Sequence, residues 1–94
     1  MVLEQAVFEV VPGTEAEFVA AYGTARQLVE VTQGCLTMRM TRGVEVPNRF
    51  VLLVEWESIE SHEDFRANDR FPRWRALIGE YFSAPPKVEH LLDL

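Results

Sequence analysis

RFVLLVEWE, residues 49–57, reads as a strand that is apolar on both faces. Side chains alternate across an extended chain, so Phe50, Leu52, Val54 and Trp56 line one face and Val51 and Leu53 the other. A strand of this kind must be covered twice. Just before it, residues 35–42 alternate as well, with Leu36, Met38 and Met40 opposite Thr37, Arg39 and Thr41. The short connection GVEVPN, residues 43–48, joins the two as a hairpin.

Further upstream, residues 2–11 set Val2, Glu4, Ala6, Phe8 and Val10 against Leu3, Gln5, Val7 and Glu9, a third strand. Thr14 stands three residues before Glu17, the spacing of a capping box. Phe18, Tyr22, Ala25 and Val29, with Ala21 and Leu28 beside them, follow at helical spacing, and Gly34 ends that helix. Downstream, Ser58 or Ser61 can cap a second helix, with Asp64 three residues beyond Ser61. A third begins near Asp69, with Pro72 early, where a missing N–H costs little. Its stripe is Phe71, Trp74, Leu77, Ile78 and Tyr81, and Pro85-Pro86 stops it. Residues 87–94 alternate once more, Val88, His90, Leu92 and Leu94 against Lys87, Glu89 and Asp93.

The order is α+β, β-α-β-β-α-α-β, with an antiparallel sheet in the ferredoxin-like plan. Helices in that plan cover one sheet face. A second cover for strand 49–57 needs another sheet, and 94 residues leave none to make it. Self-association through the open face, most simply as a two-fold homodimer, is the economical answer. The alternative is a central strand that tolerates Val51 and Leu53 half exposed.

The length makes one domain, 1–94. With 48% apolar and 26% charged residues the chain is globular rather than disordered. A net charge of −6 argues against nucleic acid and against anionic lipid, both of which attract a basic face. The single cysteine, Cys35, excludes an internal disulfide and a thiolate metal cluster. No apolar run approaches the roughly 20 residues of a membrane span. The start MVLEQAVFEVV lacks the pattern of a signal peptide and reads as a mature, cytoplasmic protein.

The pieces Glu55-Trp56-Glu57-Ser58, then His62 and Phe65, then Phe71 and Trp74, and the ending Pro85-Pro86-Lys87-Val88-Glu89-His90 resemble the antibiotic biosynthesis monooxygenase family. The resemblance runs from Phe8 to Leu92. It implies a dimeric α/β barrel, two sheets face to face with helices outside, and a pocket between each sheet and its helices. Some members oxidise anthrones, hydroquinones or related phenolics with O2 and use no flavin, haem or metal. Others degrade haem, handle signalling molecules or have no established activity. The quinone-forming branch uses a strand-end Trp, matched by Trp56, and an Arg on the last helix, matched by Arg75. Its Tyr early in the preceding helix is His62 here, and its strand Asn is Leu52, which leaves substrate and mechanism open. The haem-degrading branch uses an Asn, a Trp and a His where this chain has Ala6, Phe65 and Arg75.

Oxygenation without a cofactor needs a base for an acidic aromatic, a dry pocket for a flat ring, and a donor or cation for the developing oxyanion. His62, between Ile59 and Phe65 at helical spacing, is the natural base, with an ordinary pKa of about 6.5. Its bland reading is a buried, hydrogen-bonded structural histidine. Trp56 can stack on a planar ligand or simply pack at a strand end. Arg75, at the flank of the apolar stripe, can reach an oxyanion or lie along the surface. Phe65, Leu52, Trp74 and Met38 are the expected pocket lining, and Trp74 also reads as core. Arg66, Arg70 and Arg73 share a face amid Glu63, Asp64 and Asp69 and read as solvated pairs. His90 faces either the sheet interior or a dimer seam, and Cys35 reads as structural.

Three functions compete. One is a cofactor-independent monooxygenase acting on a small phenolic, with O2 as co-substrate and no metal. The second is a non-catalytic or stress-related dimer binding a small aromatic ligand, and the third is another enzyme on this scaffold, such as a haem-degrading one. Fold alone does not separate them.

Overall fold

The double-faced strand forms as read. In the computed structural model, which describes Met1–Leu94, β3 (Arg49–Trp56) pairs antiparallel with β1 (Val2–Glu9) on one side and β2 (Cys35–Arg42) on the other. β4 (Lys87–Leu91) pairs antiparallel with the free side of β1, giving the order β2-β3-β1-β4. Helices α1 (Glu15–Glu30), α2 (Ile59–Arg66) and α3 (Arg70–Ile78), with a 3₁₀ turn at Gly79–Tyr81, complete the ferredoxin-like α+β fold. No helix is long and apolar enough to cross a membrane.

The alternation decides which face the helices cover. Val2, Ala6 and Phe8 of β1 and Phe50, Leu52, Val54 and Trp56 of β3 are buried with Phe18, Ala25 and Val29 of α1 and Trp74 and Ile78 of α3. Phe18 lies 4.7 Å from Phe50 and 6.3 Å from Phe8, ring centre to ring centre. Aromatic rings dominate the energetics of such a core. The opposite face carries Leu3, Val7, Val51 and Leu53, half-buried within the single chain.

Four local readings are corrected. Thr14 and Glu17 form no capping box. Thr14 instead donates its hydroxyl to the Val11 carbonyl at 2.7 Å, and Glu15 accepts from the Gly13 N–H at 2.8 Å. Leu36 leaves the face it was assigned with Met38 and Met40, because a bulge between Cys35 and Thr37 pushes it out, to 46% exposure. Leu77 is exposed on α3, and the last strand ends at Leu91, so Leu92 and Leu94 are outside it. Of the two serines read as possible caps, Ser58 caps α2, as the first alternative had it, accepting from the Ser61 N–H at 3.2 Å.

Candidate functional site

A cleft of about 320 Å³ opens between the β1–β4 side of the sheet and helices α2 and α3. β1 contributes Glu4 and Ala6 to its wall, β3 contributes Leu52, and β4 contributes Val88. The helices contribute His62 and Arg66 from α2 and Phe71, Trp74 and Arg75 from α3. Four of the seven expected site residues therefore meet in one place: His62, Arg75, Leu52 and Trp74.

The other three lie elsewhere. Trp56 is fully buried under His62, the two rings nearly parallel at 13° with centres 5.0 Å apart. It is a support for the site, not a stacking surface for a ligand. Phe65 lies behind Trp56, 6.0 Å between ring centres, and packs edge-on against Phe71. Met38 packs against the core from β2, the far edge of the sheet from the cleft. Its pairing with Val54 in the β2–β3 register fixes that distance from β4.

Glu4, which sequence reasoning passed over, lines the cleft, and His90, whose facing the sequence left open, stands beside His62. Glu4 occupies an inward position of β1 and is 6% exposed. Its Oε1 accepts the Trp56 Nε1–H at 2.9 Å and lies 3.4 Å from His62 Nε2. The β1–β4 register places His90 opposite Glu4, so His90 faces the helices rather than a seam. From there its Nε2 lies 2.7 Å from His62 Nδ1. Four side chains thus line up, with hydrogen bonds joining Trp56 to Glu4 and His62 to His90 and a 3.4 Å approach of Glu4 to His62 between them. A lone carboxylate in an otherwise apolar alternation was the sequence signal for Glu4, since charged residues are seldom buried unpaired.

Burial governs the electrostatics here. Loss of water pushes the Glu4 carboxyl above its ordinary range, opposed by the Trp56 hydrogen bond and by the charge of Arg66. Burial likewise pulls His62 down to about 4, with the charges of His90 and Arg66 acting in the same direction. The expectation that His62 titrates near neutral pH is corrected accordingly: its ring is neutral there, and a low-dielectric site resists its imidazolium. Both shifts favour the uncharged forms of this pair over a separated carboxylate and imidazolium.

The arginines also differ from expectation. Arg75 holds its guanidinium 6.0 Å from the ring centres of both Phe71 and Phe82, which aims a cation at the cleft rim. Arg66 lines the cleft, and Arg70 donates to the Thr32 hydroxyl at 3.2 Å, so neither forms the surface ion pair its spacing suggested. Cys35 has its thiol pushed upward by burial, in keeping with a structural role.

A model of the antibiotic biosynthesis monooxygenase family matches residues 1–77. The Bacillus subtilis (strain 168) protein YczJ, itself uncharacterised, is 34% identical over 95 residues, spanning the whole of both chains. Among solved structures, a candidate antibiotic biosynthesis monooxygenase from Bordetella bronchiseptica has a TM-score of 0.94 at 39% identity and covers 99% of this chain and 96% of that one. A similar candidate from Nitrosomonas europaea, 16% identical, has a TM-score of 0.86 over 100% of this chain and 99% of that one, a likeness of fold.

Proposed function

The chain belongs to the antibiotic biosynthesis monooxygenase family, and from that premise we propose that it oxidises a small phenolic, hydroquinone or anthrone-type aromatic with O2, without flavin, haem or metal. The observation that carries this reading is the meeting, in one apolar cleft, of a buried carboxylate–imidazole pair and an aromatic-held cation. A flat ring fits between the Trp74 and Phe71 side and the Leu52 and Ala6 floor. The Glu4–His62 pair takes a proton from an acidic position of that ring. The resulting anion is electron-rich enough to react with O2, and Arg75 offsets the negative charge that develops on oxygen. For an anthrone-type methylene, a peroxide then forms at carbon and loses water to leave a carbonyl.

The protein acts as a homodimer in this reading. Leu3, Val7, Val51 and Leu53 lie on the uncovered sheet face among Gln5, Arg39 and Glu55, and a second copy gives strand β3 its missing cover. The same reading places it in the cytoplasm, where the lone thiol of Cys35 stays reduced.

One observation favours a second reading. His62 is tightly stacked on Trp56 and resists protonation, as a packing histidine would. In that case the cleft binds a small aromatic without turning it over. Oxygen uptake by metal-free, flavin-free protein across a panel of hydroquinones, naphthols and anthrones separates the two. Uptake above autoxidation, lost in His62→Ala, supports the oxygenase. Binding without uptake across the panel supports the ligand-binding dimer.

A further inference from the structure

A second groove lies beyond the cleft floor, lined by His90 and Leu92 on one side and Val2, Ser58 and Ile59 on the other. Glu4 and His62 open into the cleft, and His90 opens into this outer groove. The contact between His62 Nδ1 and His90 Nε2, at 2.7 Å, joins a residue of the cleft to a residue of the outer groove. We propose that His62 and His90 form a proton conduit between Glu4 in the cleft and solvent in the outer groove.

The hydrogen-bond inventory fixes how it works. Before a proton arrives, Glu4 is a carboxylate whose Oε1 accepts from Trp56 Nε1–H and stands 3.4 Å from a bare His62 Nε2, while in the relay-ready tautomer His62 Nδ1–H donates to His90 Nε2 and His90 carries its own proton on Nδ1. After a substrate proton reaches Glu4, the carboxylic acid gives it to a His62 ring that holds its own proton on Nδ1. That Nδ1–H passes to His90 Nε2, and His90 releases its Nδ1–H to water. Each ring gains one proton and loses one, so each begins and ends neutral with its tautomer exchanged, and exchange of the ring N–H protons with water resets both tautomers before the next proton arrives. The sequence restores the carboxylate and delivers one proton to solvent. No buried imidazolium accumulates, which suits a site that disfavours charge. The charged and titratable groups around the path are Glu4 from β1, Arg66 from α2 and His90 from β4, with Glu57 and Glu60 bordering the outer groove. Neither Glu57 nor Glu60 is hydrogen-bonded to either ring.

The kinetic half of the test rests on the proposed oxygenase activity, and the other half does not. His90→Gln keeps a hydrogen-bond partner for His62 Nδ1 but cannot relay a proton, and His90→Asn serves should that variant fail to fold. In the folded variant, exchange of the His62 ring N–H with water, followed by ¹⁵N-resolved NMR, should slow by at least about tenfold while neighbouring backbone amides exchange as before. Under turnover, kcat should fall by about tenfold or more at unchanged KM and be restored by added imidazole. An unchanged His62 exchange rate, or a kcat loss that imidazole does not restore, overturns the conduit. Absence of oxygen uptake in the unmodified protein removes the oxygenase reading alone, and the exchange measurement still decides the conduit.

Discussion

His62 concentrates the acid–base behaviour of the molecule because it is 4% exposed and stacked on an indole. Its pKa falls from an unfolded value of 6.5 to about 4 in the fold. Between those values the unfolded chain binds a proton that the native ring refuses, so native stability drops as pH falls from about 6.5 to 4. The full effect amounts to about 3 kcal/mol, reached below the folded pKa. Glu4 works in the opposite sense: its raised pKa lends stability below pH 4.5 that is lost as pH rises through its folded value. Urea denaturation from pH 7 to 4 should show the loss in the unmodified protein and a much shallower one in His62→Gln, where the titrating ring is gone. Arg75→Met should leave the fold intact, since the guanidinium lies on the exposed flank of α3, and should cut oxygen uptake by about 10²-fold. An unchanged rate would remove Arg75 from the chemistry. Sequence placed His62 on the apolar side of α2 and Arg75 at the flank of the α3 stripe, where both lie. It missed Glu4 and left the facing of His90 open because their meeting depends on the β1–β4 register, which no local spacing encodes.

At the scale of elements, the junction before α2 is held by two close fits. Gly34 has φ +91, where a side chain is strained, and a Cβ there would lie 2.6 Å from Ser61 Cβ. Gly34→Ala should therefore destabilise by about 2 kcal/mol, combining left-handed strain with a clash. Ser58→Ala should lose about 1 kcal/mol with the N-cap of α2, whereas Thr14→Ala should lose less at α1, whose cap carries no such bond. Chemical denaturation of the three variants checks that order. The contrast shows what spacing alone conveys. Both sites have the serine-or-threonine pattern, but Thr14 has φ −110 and ψ 11 and turns its hydroxyl back to Val11, while Ser58 is extended and points forward. Strand alternation was far more legible than caps, because burying one face of a sheet constrains every second residue. The exception, Leu36, marks the one place where a bulge interrupts the count.

For the whole molecule, the uncovered sheet face is the seam of the proposed dimer. The unmodified protein should sediment as a dimer at micromolar concentration, and Leu53→Glu should shift it to monomer by replacing an apolar side chain of the central strand on that face with a charge. A Leu53→Glu protein that remains dimeric would move the interface off this face. The two-faced reading of residues 49–57 was available from sequence because both apolar sets lie in one short run. Where the functional groups converge was not, because they come from both ends of the chain. Glu4 is on the first strand and His90 on the last, and β4 reaches its place only by pairing with β1. On the ribosome, β1, the β2–β3 hairpin and all three helices emerge before residue 90 does. A nascent chain can therefore assemble most of its core with His62 still facing an unfilled sheet edge, and the contact between the two histidines waits for β4.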